Sequence, residues 1–250
     1  MSSFPLSLSR FLSCRAEWGV GAVVLLAVLL AGCGGGGTYT LNEGTLAQRF
    51  LPPTRSVNHH PDSLEALTVT TEEDSTVSFE LENDYEALWR KWSCTFLNLG
   101  AGPNRRGRSY ATLWSLELSL ASLQPEMGIQ GLTGGRAHQL LAERRKEYRE
   151  TLQIDVFWFE SDGNSALAGP GARVTLQVDG EEYRPSTEDY GPLREAFLQN
   201  GTGLYRRNTF HFNRMVDGQD ILNDVDQVEL IVRQTGSGNR VQFQWTWDAA

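Results

Sequence analysis

The segment Gln227-Val-Glu-Leu-Ile-Val-Arg-Gln-Thr-Gly-Ser-Gly-Asn-Arg-Val-Gln-Phe-Gln-Trp-Thr-Trp247 decides the fold. Val228, Leu230 and Val232 recur at every second position, as do Val241, Phe243, Trp245 and Trp247. A strand turns successive side chains to opposite faces, so this spacing gives two strands with one apolar and one polar face each. Thr235-Gly-Ser-Gly-Asn239 lies between them and supplies the turn, predicting an antiparallel hairpin at the end of the chain.

Upstream the same period returns. Leu67–Thr70 and Val77–Leu81 read as neighbouring strands, and Trp114, Leu116, Leu118 and Leu120 as another. Leu152, Ile154, Val156 and Trp158 alternate in the same way. Phe157 and Phe159 make the far end of that run apolar on both faces, which predicts a central position in a sheet. Val174, Leu176 and Val178 lead into Asp179-Gly180, a strong two-residue hairpin signal, and Leu204–Arg214 alternates through Phe210 and Phe212. Helical spacing is confined to Arg136–Arg149, with short turns expected at Asp84–Trp92 and Pro192–Gln199. The expectation is a mainly β fold. It is an antiparallel β-sandwich, immunoglobulin-like or similar, with one connecting helix, and an α+β arrangement is the alternative.

The amino-terminal region has a different organisation. The apolar run Val20–Leu30 follows Arg10 and Arg15 and ends on small residues, the order of a cleavable export signal. It is shorter than the roughly 20 apolar residues a membrane span needs. Its end, Leu30-Ala31-Gly32-Cys33, resembles the lipobox of bacterial lipoproteins. That resemblance covers residues 1–33. It implies cleavage between Gly32 and Cys33, a lipid on the Cys33 thiol, and attachment to a membrane of the bacterial cell envelope. Gly34 after the cysteine implies sorting to the outer membrane. Residues 1–32 are thus expected to be a lipoprotein signal peptide. Residues 33–63, opening on four glycines and continuing through Pro52, Pro53 and Pro61, are expected to form a flexible tether, and 64–250 a single β-sandwich domain.

Net charge is −9; losing the leader, with Arg10 and Arg15 against Glu17, makes the mature chain −10. An acidic chain lacks the basic face that nucleic acid requires. Of three cysteines, Cys14 leaves with the leader and Cys33 carries the lipid, so no internal disulfide is expected. Cys94 shares strand parity with Trp92 and Phe96 and is expected to be buried.

Motifs of chemistry are sparse. Arg105, Arg106 and Arg108, in the loop Gly100–Arg108, form a possible anion-binding site because guanidinium forks suit phosphate and carboxylate; a solvated loop tip is the other reading. His59, His60 and Asp62 are too close in sequence to converge on a metal, and Asp217–Asp226 departs from a calcium loop and suits turns and caps better. No metal site, cofactor motif or nucleophile elbow is found, and no catalytic residue is assigned. Paired carboxylates such as Glu117 with Asp155, or Glu80 with Glu82, remain open as hydrolytic pairs. Two functions are carried forward. The first is a lipid-anchored envelope protein with a binding, assembly or structural role and an envelope protein as partner. The second is an envelope hydrolase acting on glycan or peptide.

Overall fold

The computed structural model describes residues 46–71, 77–98, 108–124, 134–163, 165–198, 201–236 and 238–248. They belong to one compact unit within Thr38–Ala250. In chain order the strands are β1 (Thr54–Val57), β2 (Leu67–Thr71), β3 (Val77–Leu81), β4 (Ser93–Thr95), β5 (Leu97–Asn98), β6 (Tyr110–Leu113), β7 (Thr151–Phe159), β8 (Ala172–Val178), β9 (Glu181–Tyr183), β10 (Thr187–Tyr190), β11 (Arg194–Leu198), β12 (Gly201–Asn213), β13 (Met215–Val216), β14 (Gln219–Asp220), β15 (Gln227–Gln234) and β16 (Arg240–Trp247). Three α-helices are described: α1 (Tyr85–Lys91), α2 (Leu116–Ala121) and α3 (Gly134–Glu150).

The fold is mainly β. One six-stranded sheet runs β1-β16-β15-β8-β9, with β5 also on β16; the other runs β10-β12-β7-β6-β4, with β11 also on β12. The carboxy-terminal hairpin forms as the alternation requires, Leu230 opposite Phe243 and Val228 opposite Trp245. Trp158 meets Phe243 edge-on at 6.0 Å, so the even-numbered side chains of β7 face the other sheet. The odd-numbered ones turn outward under α1, where the Trp89 ring lies 5.7 Å from Phe157 and its Nε1 donates to Thr112 Oγ1. Both faces of β7 are therefore buried, and β7 sits between β12 and β6, the central place its sequence predicts.

Turn chemistry holds as well. Asp179 (φ 47°) and Gly180 (φ 82°) take the left-handed backbone of a two-residue hairpin between β8 and β9.

Three expectations are corrected. Trp114–Leu120 is not a strand: β6 ends at Leu113, and Ser115 caps α2 by accepting the Leu118 N–H. The helical turn expected at Pro192–Gln199 is not helical over its described part, to Leu198, because β11 hydrogen-bonds along the start of β12, Leu198 opposite Gly201. Last, the described part of the tether, from Leu46 to Ser63, is folded. Leu46 and Leu51 are core residues, and β1 pairs with β16 in parallel, the one parallel contact in that sheet. Pro52 and Pro53 precede β1, a position at a sheet edge where a missing N–H costs nothing. Among the described residues no helix is long and apolar enough to cross a membrane.

Candidate functional site

A pocket of about 330 Å³ opens beyond the carboxy-terminal end of β12, lined in part by His60, Asp62, Arg214, Asp220 and Asp224. Its centre is Arg214, the first residue after β12 and 2% exposed. The tight turn at Asp217 (φ 52°) and Gly218 (φ 80°) folds β14 back on β13, and the Ile221 N–H donates to the Arg214 carbonyl. That hairpin delivers Asp220 to Arg214. Nε lies 3.0 Å from both carboxylate oxygens and Nη2 2.7 Å from Oδ2.

The opposite side of the guanidinium meets Asp62, from a segment 152 residues away, with Nη1 to Oδ1 at 2.9 Å and Nη2 to Oδ2 at 2.5 Å. Two-point contacts of this kind are the strongest neutralisation available to a buried guanidinium. Beneath it the Tyr148 ring of α3 lies 4.9 Å away, and the Tyr148 hydroxyl reaches Asp62 Oδ1 (2.8 Å) and the Pro61 carbonyl (3.0 Å). His60 packs edge-on against Trp247, with Nε2 3.2 Å from the Leu222 carbonyl.

Burial alone would raise the Asp62 pKa, but the Arg214 hydrogen bonds and charge, with Tyr148, hold it below the ordinary carboxylate range. Burial would lower that of Arg214; the bonds to Asp62 and Asp220 reverse this and raise it. Burial and the Asp62 charge push the Tyr148 phenol well up. Since the folded Asp62 pKa lies below its unfolded value, its contribution is present above the unfolded pKa and lost as pH falls through the folded one. The expected result is a loss of thermal stability below about pH 4 that Asp62→Asn makes shallower, read from melting temperature against pH.

A second polar groove of about 430 Å³ adjoins this pocket, sharing Asp224 and Val225, and adds Asp179, Asp226 and Glu229. With Asp62 and Asp220 these carboxylates outnumber Arg214, so this end of the domain is acidic and rich in hydrogen-bond acceptors.

The residues singled out from sequence are dispersed. Gly32, Cys33, Arg105 and Arg106 lie outside the described residues. Arg108 is half-buried beside Ser109, whose N–H and hydroxyl both donate to Asp162 Oδ2 at 2.6 Å. Glu117 and Asp155 are fully buried in separate networks. Glu117 accepts from Trp92 Nε1 (2.7 Å) and the Ala66 N–H (2.9 Å), with His59 Nε2 at 3.2 Å. Asp155 accepts from Trp114, Arg207, Thr209 and Gln153. Glu80 and Glu82 are exposed on β3 and beyond it. Cys94 is buried, and burial pushes its thiol up to about 12. No group of three or more His, Cys, Asp or Glu side chains suited to a metal occurs among the described residues.

Arg214 itself escaped the sequence reading. Its local signal was the Asp217-Gly218 turn, which sets positions 215 and 220 opposite each other; nothing in the sequence announced Asp62.

Comparison with family models, with curated proteins and with solved structures finds no match to this chain.

Proposed function

We propose that the chain is a lipid-anchored cell-envelope protein, held through Cys33, whose role is to bind a cationic or donor-rich group at the acidic end of its domain. The observation that carries this reading is the Asp62–Arg214–Asp220 clamp. Its groups neutralise and immobilise one another, forming a fixed pocket floor beside the acceptor-rich neighbouring groove. A general acid for glycan or peptide cleavage needs a raised carboxyl pKa. Asp62 is shifted the other way, and Glu117 and Asp155 are engaged in structural bonds. This chemistry favours binding over hydrolysis.

The test joins anchor and pocket. Wild type is expected to incorporate labelled palmitate and sediment with membranes, and Cys33→Ser to do neither. A partner cross-linked to wild type in native membranes is expected to be lost in Asp224→Arg, which cancels the pocket's excess negative charge without touching the clamp. Turnover of a glycan or peptide library by wild type, abolished by the same variant, would replace this reading with the hydrolase.

A further inference from the structure

The opposite end of β12 has the reverse character. Phe197 on β11 is 83% exposed, and Leu193, just before that strand, and Leu204 on β12 are also exposed. Glu195 pairs with Leu204 and Phe197 with Thr202, so Phe197 and Leu204 share one sheet face. Further along β12 the side chains of this face, Phe210 and Phe212, are buried; at this end Phe197 and Leu204 are exposed. Phe50, 73% exposed, follows closely on Gln48, whose Nε2 donates to the Phe197 carbonyl at 2.9 Å. Exposed large apolar residues grouped in this way mark a contact surface.

We infer that this apolar end, carried by Phe197, Leu204, Leu193 and Phe50, rests in the phospholipid headgroup layer of the membrane that holds the anchor. The inference builds on the Cys33 reading above. Three observations select lipid as the occupant. First, Gln48, bonded to the Phe197 carbonyl, brings the amino-terminal segment to this patch, and Leu46 lies two residues before it. Twelve residues separate Leu46 from Cys33, at most about 45 Å of fully extended chain over the thirteen steps.

Second, the two ends of the domain are oppositely equipped. Leu204 and Arg214 are ten residues apart along β12, about 33 Å at the rise of a strand. Anionic lipid repels the Asp62, Asp220 and Asp224 end while the aromatic end is attracted, so contact has one orientation. Third, Arg206 and Glu195 stand on the patch face, which suits headgroup depth, where amphipathic surfaces settle, better than hydrocarbon. The acidic pocket then faces away from the bilayer, about 30 Å from it.

The experiment uses the full-length, acylated protein in vesicles of phosphatidylethanolamine and phosphatidylglycerol containing a lipid spin-labelled near the headgroup. A fluorophore is placed on Glu195→Cys in one sample and on Asn223→Cys, at the pocket, in another. Cys94 is buried with its thiol pushed up to about 12, so it does not compete for label. Strong quenching at 195 and none at 223 is expected. Adding Phe197→Ser and Phe50→Ser should lower the docked-to-undocked ratio about tenfold, since two aromatic contacts are removed. Both sites are exposed, so an unchanged melting curve verifies the fold.

A palmitate-labelled, vesicle-bound protein with no quenching at 195 overturns the inference and leaves the anchor standing. Protection of position 195 by a second copy in detergent, without lipid, overturns it in favour of self-association. An unlabelled, freely soluble wild type overturns anchor and docking together.

Discussion

Asp155→Ala is expected to destabilise the domain by about 3–5 kcal/mol, the cost of stranding a buried charge. The carboxylate is 1% exposed on β7, on the face turned from the other sheet. Its Oδ2 receives Trp114 Nε1 at 2.8 Å and both Nε (3.1 Å) and Nη2 (2.6 Å) of Arg207; its Oδ1 receives Thr209 Oγ1 at 2.8 Å. The Arg207 side chain is only 15% exposed, so removing the acid breaks a buried ion pair, and the Trp114 N–H loses its acceptor. Replacing both members, Asp155→Leu with Arg207→Met, is expected to recover a large part of the loss, because a buried pair is worth far less than the penalty for breaking it. Urea denaturation of the two single variants and the double variant checks this: near-additive losses would show that the pair is not the unit that matters.

Phe243→Ala should cost a similar amount, about 3–5 kcal/mol, for a different reason. The ring is fully buried on β16 and meets Phe96 at 6.2 Å and Trp158 at 6.0 Å, both edge-on. It is where the two sheets touch through aromatic side chains, so its loss opens a cavity between layers that the hydrogen-bonded strands hold apart. Phe243→Leu should retain more than half of the stability lost by the alanine variant, since most of the volume is kept. Thermal melts distinguish the outcomes: equal destabilisation by Leu and Ala would mean that ring geometry, not volume, sets the cost.

Where a side chain has one wet and one dry face to choose between, this chain's elements are legible. β8, β15 and β16 follow their alternation, β7 is buried on both faces as its doubly apolar far end requires, and Asp179-Gly180 turns as its residue types demand. Failures arise where that contrast is missing. In α2, Glu117, Leu118, Ser119, Leu120 and Ala121 are all buried, so the alternation of Leu with Glu and Ser marked no face at all. Glu117 is buried because Trp92, His59 and the Ala66 N–H converge on it, a reason absent from its neighbours in sequence. At β11, the segment expected as a helical turn is extended, because the left-handed φ of 120° at Gly201 starts β12 back along the strand just completed. Residues 46–63 looked like spacer because prolines and glycines dominate the surrounding composition. A few apolar contacts and one parallel pairing with β16 were enough to fold them.

The sequence by itself determined the compartment expectation, through Leu30–Cys33, and the sidedness of the longest strands, β7, β8, β12, β15 and β16, because both are written in consecutive residues. The tertiary structure alone decided the candidate site. Asp62 and Arg214 are 152 positions apart, and opposite charges attract only at the short distances that folding creates. The same holds for the apolar end, where Gln48 and Phe197 meet across 149 positions. Local pattern fixes which way a side chain points; what it meets there depends on chain brought from elsewhere.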